Sequence, residues 1–430
     1  MKNICFCFQI HEPFRLKRYR FFDIGQDHYY YDDFQSENRI EHLVNDSYLP
    51  ANRTLLEMIR SSKGKFKCSF AISGVALEQI ENYAPELIDS FKELADTGSV
   101  EFLAVPYSYS LASICDEDEF ELQLKLHADK IHNLFGKKTT ALCNTEMLYN
   151  DDIANLAYRL GYKVILAEGA RQILGWKSPN YLYASAANEK VKVLLRNPKL
   201  SDDIAFRFGD YTWADYPLDA PKYISWLDAL PAEEQIVNLW MGYDALGIRQ
   251  NAGTGIFDFI KALPYFALEK NIGFITPSEA AKKLTVADKL VTPYPLTWSG
   301  ENKDLSIFNG NDLQHEALDK LYSVGQRVRL CSDPALKHDW QLLQSINHFR
   351  FMNHIDAEGT NYESAYDAFI NYMNVLSDFM QRVEEQYPTS IDNEELNELL
   401  TTINNQEKEI AELEKENEKL RAKKSKAKDK

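Results

Sequence analysis

The feature that most constrains the fold is a repeated alternation of short apolar runs with longer amphipathic stretches over the first 290 residues. The short runs are rich in β-branched and aromatic residues, whereas the longer ones carry apolar side chains at helical spacing. The predicted strands are 4–10, 67–72, 100–105, 140–144, 163–167, 236–243 and 274–276. The predicted helices are 49–61, 84–97, 117–135, 151–160 and 255–269, with one more beginning at Ser278. Strands that alternate with helices predict a parallel α/β sheet, and closure into a barrel would put its working residues on the loops after the strands.

The β signals end near residue 290, and helical patterns dominate from there. Helices are predicted over 312–330, 338–352 and 364–387. We therefore predict a barrel over residues 1–290 and a helical bundle packed on it over residues 291–388.

The last segment, residues 389–430, carries a heptad pattern followed by a basic tail. Apolar and amide residues recur at spacings of three and four, and the positions between them are mostly Glu, Lys and Asn. The seam residues are Leu396, Leu399, Ile403, Gln406, Ile410, Leu413, Asn417 and Leu420. This pattern predicts a two-stranded coiled coil and thus a homodimer, while a single solvated helix remains the alternative.

Composition excludes several classes of protein. The 430 residues are 45% hydrophobic, which is enough for a large core, and no apolar run is long enough to span a membrane. The net charge of −17 opposes binding to nucleic acids and to anionic membranes. The amino terminus has no signal-peptide pattern, so we predict a cytoplasmic protein. The six scattered cysteines show no paired spacing and are predicted to be buried and reduced.

Carboxylates at strand ends are the main chemical signal. Glu146 ends the run 140–144, His11 and Glu12 end the first strand, and Asp244 ends the run 236–243. If the barrel closes, these side chains meet at one mouth. The other candidates expected at that mouth are Glu101, Tyr107, Tyr109, Asp203, Trp213, Trp240, Trp298 and His348. Carboxylates beside aromatic rings suit an uncharged, hydroxylated ligand such as a sugar, whose CH faces stack on the rings.

Other chemistries have little support in the sequence. There is no phosphate-binding glycine loop of the P-loop or dinucleotide type and no G-x-S-x-G nucleophile elbow. The histidines have no spacing typical of a metal site, so we expect neither a cofactor nor a metal.

Five stretches of the chain resemble glycoside hydrolase family 57, in its α-amylase-like branch. They are FQIHEPFRL at the first strand, GSVEFL, CNTEMLYN, MGYDALG and ITPSEA, and the resemblance runs from residue 1 to about residue 380. For a member of this family the resemblance implies a (β/α)7 barrel, a helical bundle and retaining chemistry on α-1,4-glucans. By motif, Glu146 takes the place of the nucleophile, and His11 matches a histidine near the substrate.

The sequence departs from the family pattern at the expected acid. The pattern M-D-Y-E-T-F-G aligns with residues 241–247, so the acid/base aspartate falls on Gly242. The run E-T-Y-Y-H-S-L aligns with residues 105–111 and loses a carboxylate and a histidine, and S-D-H becomes Ile346-Asn347-His348. Asp244 is a weak substitute, because two residues of extended strand displace its Cα by roughly 6–7 Å unless the strand bends sharply.

Two functions follow from these observations. The first is an α-amylase-like glycoside hydrolase with Glu146 as nucleophile and an unconventional or absent acid. The second is a degenerate barrel that binds α-glucan or assists assembly without turnover. Polysaccharide deacetylation on a related barrel is a third possibility, but its usual Asp-His-His metal set is not found in the sequence.

Overall fold

A computed structural model describes residues 1–353 and 362–387 without a break, together with separate positions between 399 and 413. Its strands, in chain order, are β1 (Asn3–Ile10), β2 (Cys68–Ile72), β3 (Val100–Phe102), β4 (Val164–Glu168), β5 (Leu182–Ser185), β6 (Lys192–Arg196), β7 (Ile236–Gly242), β8 (Leu246–Gly247), β9 (Gln250–Asn251), β10 (Gly273–Phe274) and β11 (Asp288–Leu290).

Parallel pairing joins seven segments of the chain into a closed ring. β1 lies between β2 and β7, β2 pairs with β3, and β6 links β4 to β7. The gap between β3 and β4 is closed by Leu142, which forms single parallel bridges to Ala104 and Ile165. The α/β class and the mainly parallel sheet predicted from the sequence are confirmed. Because the strands run the same way, their carboxyl ends open at one mouth.

Five strands lie outside the ring, and two of them, β8 and β9, form a separate two-stranded sheet. β10 pairs with the first residues of β1, and β5 runs antiparallel to β6 and pairs with β11. The alternation of apolar runs does not reveal β5 and β6, because the segment between residues 182 and 196 contains no helix to separate them.

The helices of the barrel region are α1 (Asp33–Leu43), α2 (Leu49–Ser61), α3 (Gly74–Tyr83), α4 (Pro85–Asp96), α5 (Ala112–Cys115), α6 (Glu117–Phe135), α7 (Asp151–Arg159), α8 (Arg171–Leu174), α9 (Pro198–Ala205), α10 (Ala220–Asp228), α11 (Ile256–Glu269) and α12 (Pro277–Lys283). The predicted helices over 49–61 and 117–135 coincide with α2 and α6. The predicted strand over 140–144 is wrong, since that segment has only the two bridges at Leu142.

The regular secondary structure described after residue 305 is all helical. Its helices are α13 (Ser306–Asn309), α14 (Asp312–Ser323), α15 (Gly325–Leu330), α16 (Pro334–Leu343), α17 (Ile346–Arg350) and α18 (Ala365–Gln386). The predicted helix 312–330 is two helices, and so is 338–352. Leu318, Trp340 and Val375 share one buried cluster with barrel residues such as Val105, so these helices pack directly on the barrel.

Most of the heptad segment lies outside the described residues. Leu399, Ile403, Gln406, Ile410 and Leu413 are described, and all five are helical and exposed. The coiled coil and the domain limits at 290 and 388 remain predictions. Of the six cysteines, five are buried as expected, while Cys115 is exposed. None of the helices in the described part of the chain is long and apolar enough to span a membrane.

Candidate active site

The mouth of the barrel contains a cleft with a cavity volume of about 140 Å³. Residues from the ends of β1 and β7, from the Glu146 turn and from the helical region line this cleft. The lining residues include Gln9, His11, Glu12, Arg39, Tyr48, Tyr109, Glu146, Arg196, Phe206, Gly242, Asp244, Arg249, Trp298, Asn347 and Arg350. The volume lies below the ~300–1,000 Å³ of drug-sized sites, so the enclosed part of the cleft takes a short piece of a ligand.

Glu146 lies on a tight turn that follows the bridge at Leu142. The Asn144 side chain spans this turn, donating to Leu148 O at 3.0 Å and to Ser113 Oγ at 2.9 Å. A single 3₁₀ turn over 145–147 ends at Leu148, whose N–H donates to Thr145 O at 2.8 Å. The turn aims the Glu146 side chain into the cleft, although the residue is only 7% exposed.

Left-handed backbone is concentrated around this turn. Six described non-glycine residues have a positive φ, and three of them are Tyr109 at 54°, Glu146 at 51° and Met147 at 54°. A fourth, Lys303, donates from Nζ to Trp298 O at 2.6 Å. Such conformations each cost about 1–3 kcal/mol and persist only where the surrounding structure imposes them. The surrounding structure therefore imposes the conformation of the Glu146 turn.

Both oxygens of the Glu146 carboxylate accept hydrogen bonds from hydroxyl groups. The Tyr109 hydroxyl donates to Oε1 at 3.0 Å, and the Ser299 hydroxyl donates to Oε2. Trp298 and Ser299 reach Glu146 because residues 296–298 run antiparallel to the turn, with Trp298 N donating to Glu146 O at 3.0 Å. The two hydroxyl donors therefore fix the orientation of the Glu146 carboxylate.

The Asp244 carboxylate returns to the space beside Gly242. β7 ends at Gly242, and a 3₁₀ turn over Tyr243–Ala245 reverses the chain there. A Cβ built on Gly242 would collide with Asp244 Oδ1 and lie 3.6 Å from its Cγ. The displacement expected for an extended strand is therefore wrong, because the strand ends before Asp244 and the turn brings the side chain back.

Tyr243 fixes this turn from within the core. Its ring is fully buried and stacks on Tyr48 at a centroid distance of 5.4 Å, and its hydroxyl donates to Asn52 Oδ1 at 2.6 Å. The Ser47 hydroxyl donates to Tyr243 O at 3.1 Å. With Tyr243 anchored inward, the next residue, Asp244, faces the cleft.

A row of arginines and aromatic rings connects the two carboxylates. Arg249 pairs with Asp244 at 3.4 Å and lies 4.8 Å above the Phe206 ring. Phe206 stacks on Trp298 with centroids 6.4 Å apart, and Arg196 lies 5.3 Å from the other aromatic surface of Trp298. The row ends beside Ser299 and Glu146, so one wall of the cleft is apolar in its rings and polar at its edges.

Arg196 is fully buried and holds two acidic residues behind the cleft. Its Nη1 is 3.4 Å from Glu168 Oε2, its Nη2 is 2.5 Å from Asp202 Oδ1, and its Nε donates to Trp240 O at 3.0 Å. Burial raises the pKa of Glu168 to about 7 in spite of the neighbouring guanidinium. Glu168 thus supports the wall and does not line the cleft.

His11 lines the cleft, but both of its ring nitrogens are bonded to protein hydroxyls. Nδ1 is 2.8 Å from Ser73 Oγ and Nε2 is 3.0 Å from Ser345 Oγ, while the ring stacks on Tyr109 at 4.3 Å. Burial lowers the pKa of His11 to about 3, so the ring is uncharged near neutral pH. Its contacts orient Tyr109 and join the barrel to the helical region.

Glu12 also lines the cleft with its oxygens occupied. Arg15 Nη2 lies 2.5 Å from Oε1, and Arg39 Nε lies 3.3 Å from Oε2. Glu12 thus holds Arg15 and Arg39 in place, and its role in binding substrate remains a prediction.

Three predicted polar residues point away from the cleft. Glu101 accepts hydrogen bonds from Ser278, whose N–H is 3.1 Å from Oε2. The Tyr107 hydroxyl donates to Glu78, outside the cleft. Asp203 pairs with Arg207 and is fully buried in α9. Their residue types suggested the mouth, but hydrogen-bonding and ionic partners outside the cleft hold their side chains elsewhere.

Two predicted tryptophans and a histidine are likewise corrected. Trp213 packs against Trp226, 6.2 Å away and outside the cleft. Trp240 is buried behind Trp298, with ring centroids 4.7 Å apart, and so supports the wall without reaching a ligand. His348 is held within the helical region by the Leu342 carbonyl, 3.2 Å from Nε2, and does not bond toward the barrel.

Sequence reasoning missed several lining residues. Gln9 is the polar member of an otherwise apolar strand, which was a usable signal. Ser299 begins a polar stretch directly after Trp298, which was itself predicted. No sequence pattern indicated Arg249 or Phe206. The turn after Asp244 brings Arg249 to the site, and the end of α9 brings Phe206 there. Within the described residues, no group of three or more His, Cys, Asp or Glu is arranged to hold a metal ion.

Two curated proteins are similar in sequence to this chain. The chain is 32% identical over 406 residues to a Methanocaldococcus jannaschii protein named "Putative alpha-amylase", covering 89% of this chain and 85% of that one. It is 27% identical over 200 residues to an α-amylase of Pyrococcus abyssi, covering 45% of this chain and 28% of that one.

Solved structures share the fold at low identity. A branching enzyme from Thermococcus kodakaraensis superposes with a TM-score of 0.65 and 13% identity, covering 91% of this chain and 96% of that one. A 4-α-glucanotransferase from Thermococcus litoralis gives a TM-score of 0.64 and 15% identity, covering 87% of this chain and 59% of that one. The sequence profile of glycosyl hydrolase family 57 matches residues 5–293, which is more than half of the chain. The chain belongs to glycosyl hydrolase family 57.

Proposed function

We propose that this protein is an α-amylase-like glycoside hydrolase that acts on α-1,4-glucans by a retaining mechanism. Glu146 is the nucleophile and Asp244 is the acid/base. The observation that carries the proposal is the position of the Asp244 carboxylate, which fills the space beside Gly242, where the family pattern has its aspartate.

The state of Glu146 supports its role as nucleophile. The residue is 7% exposed, faces the cleft and has both oxygens on hydroxyl donors. The two donors hold the carboxylate in one orientation, as attack on a carbon atom requires. The strained turn at φ 51° agrees with a functional constraint.

The reaction then needs two displacements at the anomeric carbon. In the first, a Glu146 oxygen attacks that carbon, the glycosidic C–O bond breaks, and Asp244 gives its proton to the leaving oxygen. In the second, the Asp244 carboxylate takes a proton from water, the water oxygen attacks, and the bond to Glu146 breaks. A sugar hydroxyl in place of water would give transfer instead of hydrolysis.

The wall of the cleft suits a sugar ring. Trp298 and Phe206 offer aromatic faces, and Asn347 and Arg350 add polar groups to the lining of the cleft. CH faces of a glucose unit stack on rings of this kind, and its hydroxyls take the hydrogen bonds. The relatives named above as α-amylases agree with an α-glucan substrate.

A second candidate function, an α-glucan-binding protein without turnover, is favoured by one observation. Asp244 pairs with Arg249 at 3.4 Å, and a carboxylate held by a guanidinium is a poor proton donor unless the pair opens. If the pair stays closed, the cleft binds glucan and breaks no bond.

Turnover of maltoheptaose by wild type, Glu146→Gln and Asp244→Asn tests the proposal. We expect Glu146→Gln to abolish activity and Asp244→Asn to lower kcat by ~10²–10⁴-fold. α-Maltosyl fluoride has a leaving group that needs no proton, so Asp244→Asn should still form the glycosyl-enzyme from it. Equal and negligible rates for all three proteins, with maltoheptaose bound in calorimetry, would establish the binding function instead.

The finer organisation is proposed on the sequence pattern. We place a catalytic barrel at residues 1–290, a helical bundle at 291–388 and a coiled-coil segment at 389–430 that pairs two copies in the cytoplasm. The exposed apolar side chains at Leu399, Ile403, Ile410 and Leu413 agree with a seam that needs a second helix.

A further inference from the structure

Tyr109 makes contacts that its predicted role as a substrate-binding residue does not explain. We propose that Tyr109 is a positioning residue for the nucleophile, whose hydroxyl proton fixes Glu146 Oε1 for attack and stabilises that carboxylate when it departs. The inference rests on the proposed function of Glu146. It assigns Tyr109 a task that the sequence pattern does not contain, since the aligned family run has a histidine at this position.

The direction of the hydroxyl proton follows from the donors around it. Gln9 Nε2 donates to the Tyr109 oxygen, and the backbone N–H of Glu146 donates to the same oxygen at 3.0 Å. A phenolic oxygen has two acceptor sites and one proton. With both acceptor sites filled, the proton points to Glu146 Oε1, which lies 3.0 Å away.

Tyr109 therefore holds Glu146 at two points, one on the backbone and one on the side chain. The backbone bond stabilises the left-handed turn at φ 51°, and the side-chain bond fixes the rotation of the carboxylate. Ser299 holds the other oxygen. A carboxylate held at both oxygens keeps its orientation when a bound substrate displaces water from the cleft.

The Tyr109 ring is itself rigid. It is 2% exposed, its backbone φ is 54°, and it stacks at 4.3 Å on His11, which Ser73 and Ser345 hold from both sides. The Tyr109 carbonyl accepts from Ile346 N at 3.1 Å, which ties the ring to the helical region. Burial and the charge of Glu146 raise the pKa of Tyr109, so the hydroxyl keeps its proton.

The two chemical steps place different demands on this hydrogen bond. In the first step the carboxylate must face the anomeric carbon, and the hydrogen bond to Oε1 holds it in that orientation. In the second step negative charge returns to Glu146 as its bond to the sugar breaks, and the hydrogen bond from the Tyr109 hydroxyl stabilises that charge. Loss of the proton should slow both steps.

Tyr109→Phe tests the proposal, with Tyr107→Phe as the matched control. Each variant removes one hydroxyl that donates to a glutamate, but the Tyr107 hydroxyl donates to Glu78 outside the cleft. We expect Tyr109→Phe to lower kcat roughly 10- to 100-fold on maltoheptaose and on α-maltosyl fluoride alike, with KM within about twofold. Tyr107→Phe should stay within about twofold of wild type on both substrates.

The fluoride substrate separates this proposal from the role of Asp244. Asp244→Asn should lose turnover of the glycan but keep the first-turnover burst of fluoride release, whereas Tyr109→Phe should slow both. Full activity of Tyr109→Phe on the fluoride would overturn the inference while leaving the proposed function intact. No turnover of either substrate by the wild type would overturn both.

A second measurement covers the case in which Tyr109→Phe does not fold. 3,5-Difluorotyrosine at position 109 keeps every contact and makes the hydroxyl a stronger donor. We expect the acidic limb of the pH profile of kcat/KM to move to lower pH, because the ionised nucleophile is stabilised. An unmoved profile would show that Tyr109 only fills space.

Discussion

Gly242→Ala should move the Asp244 carboxylate without removing its acid group. The backbone at Gly242 has φ −59° and ψ 140°, which any residue adopts without strain. The added Cβ, however, would occupy the place of Asp244 Oδ1 and lie 3.6 Å from Cγ. No acid, base or hydrogen-bonding group is removed, but the carboxylate has to move.

The expected size of the effect follows from that overlap. Restoring ordinary contact requires Oδ1 to shift by about 1 Å, and a misplacement of about 1 Å at a reacting centre costs on the order of 10²-fold. The free energy of unfolding should stay within ~1 kcal/mol of wild type or rise slightly. The displaced atom is the end of a flexible side chain. Replacing glycine by alanine also reduces the conformational entropy of the unfolded chain, which stabilises the folded state by ~0.4–1 kcal/mol.

The assay compares Gly242→Ala with Asp244→Asn on maltoheptaose and on α-maltosyl fluoride. Both variants should lose rate on the glycan and keep most of the first-turnover rate of fluoride release, while urea denaturation shows Gly242→Ala to be as stable as wild type. The double variant Gly242→Asp/Asp244→Ala supplies an acid at the position of the family pattern and should regain part of the glycan activity. Undiminished glycan activity in Gly242→Ala would refute the argument that Asp244 acts from the space beside residue 242.

Three further predictions concern stability and assembly. Burial lowers the pKa of His11 to about 3 and those of His127 and His348 to about 4. Unfolding below pH 6.5 therefore takes up protons, and stability should fall by ~1.4 kcal/mol per pH unit for each of the three as the pH drops toward 4, measured by urea denaturation across pH. The raised pKa of Glu168, about 7, has the opposite effect on stability. Above about pH 4.5 the folded chain keeps a proton that the unfolded chain releases, so stability falls as the pH rises toward 7. Glu168→Gln should thus gain stability relative to wild type between about pH 4.5 and 7, and a constant difference would contradict the burial argument. Removal of residues 391–430 should halve the particle mass in light scattering, and an unchanged mass per particle would exclude the coiled-coil dimer.

The sequence predicted the parts of the fold that repeat and missed those that do not. Alternation located β1, β2 and β7 and the long helix α6, because burial of one face leaves a clear period. β5 and β6 escaped, since no helix lies between them. The same limit applies to the site.

At the site, residue type and position after a strand identified Glu146, His11 and Asp244 as cleft residues. Glu101 and Tyr107 met the same criteria and lie outside, because their partners Ser278 and Glu78 are brought close only by the folded chain. The return of Asp244 over Gly242 depends on a backbone turn, and a strand period cannot encode such a turn.

The closure of the ring at Leu142 has a consequence for local stability. Four backbone hydrogen bonds cross the two joints there: Ala104 N to Ala141 O, Cys143 N to Ala104 O, Leu142 N to Val164 O and Leu166 N to Leu142 O. A full strand such as β1 is paired over most of its length, so amide exchange at these joints should be faster than in β1. Few backbone hydrogen bonds thus hold the barrel just ahead of Glu146, and a ligand that orders the Glu146 turn should slow amide exchange at these joints.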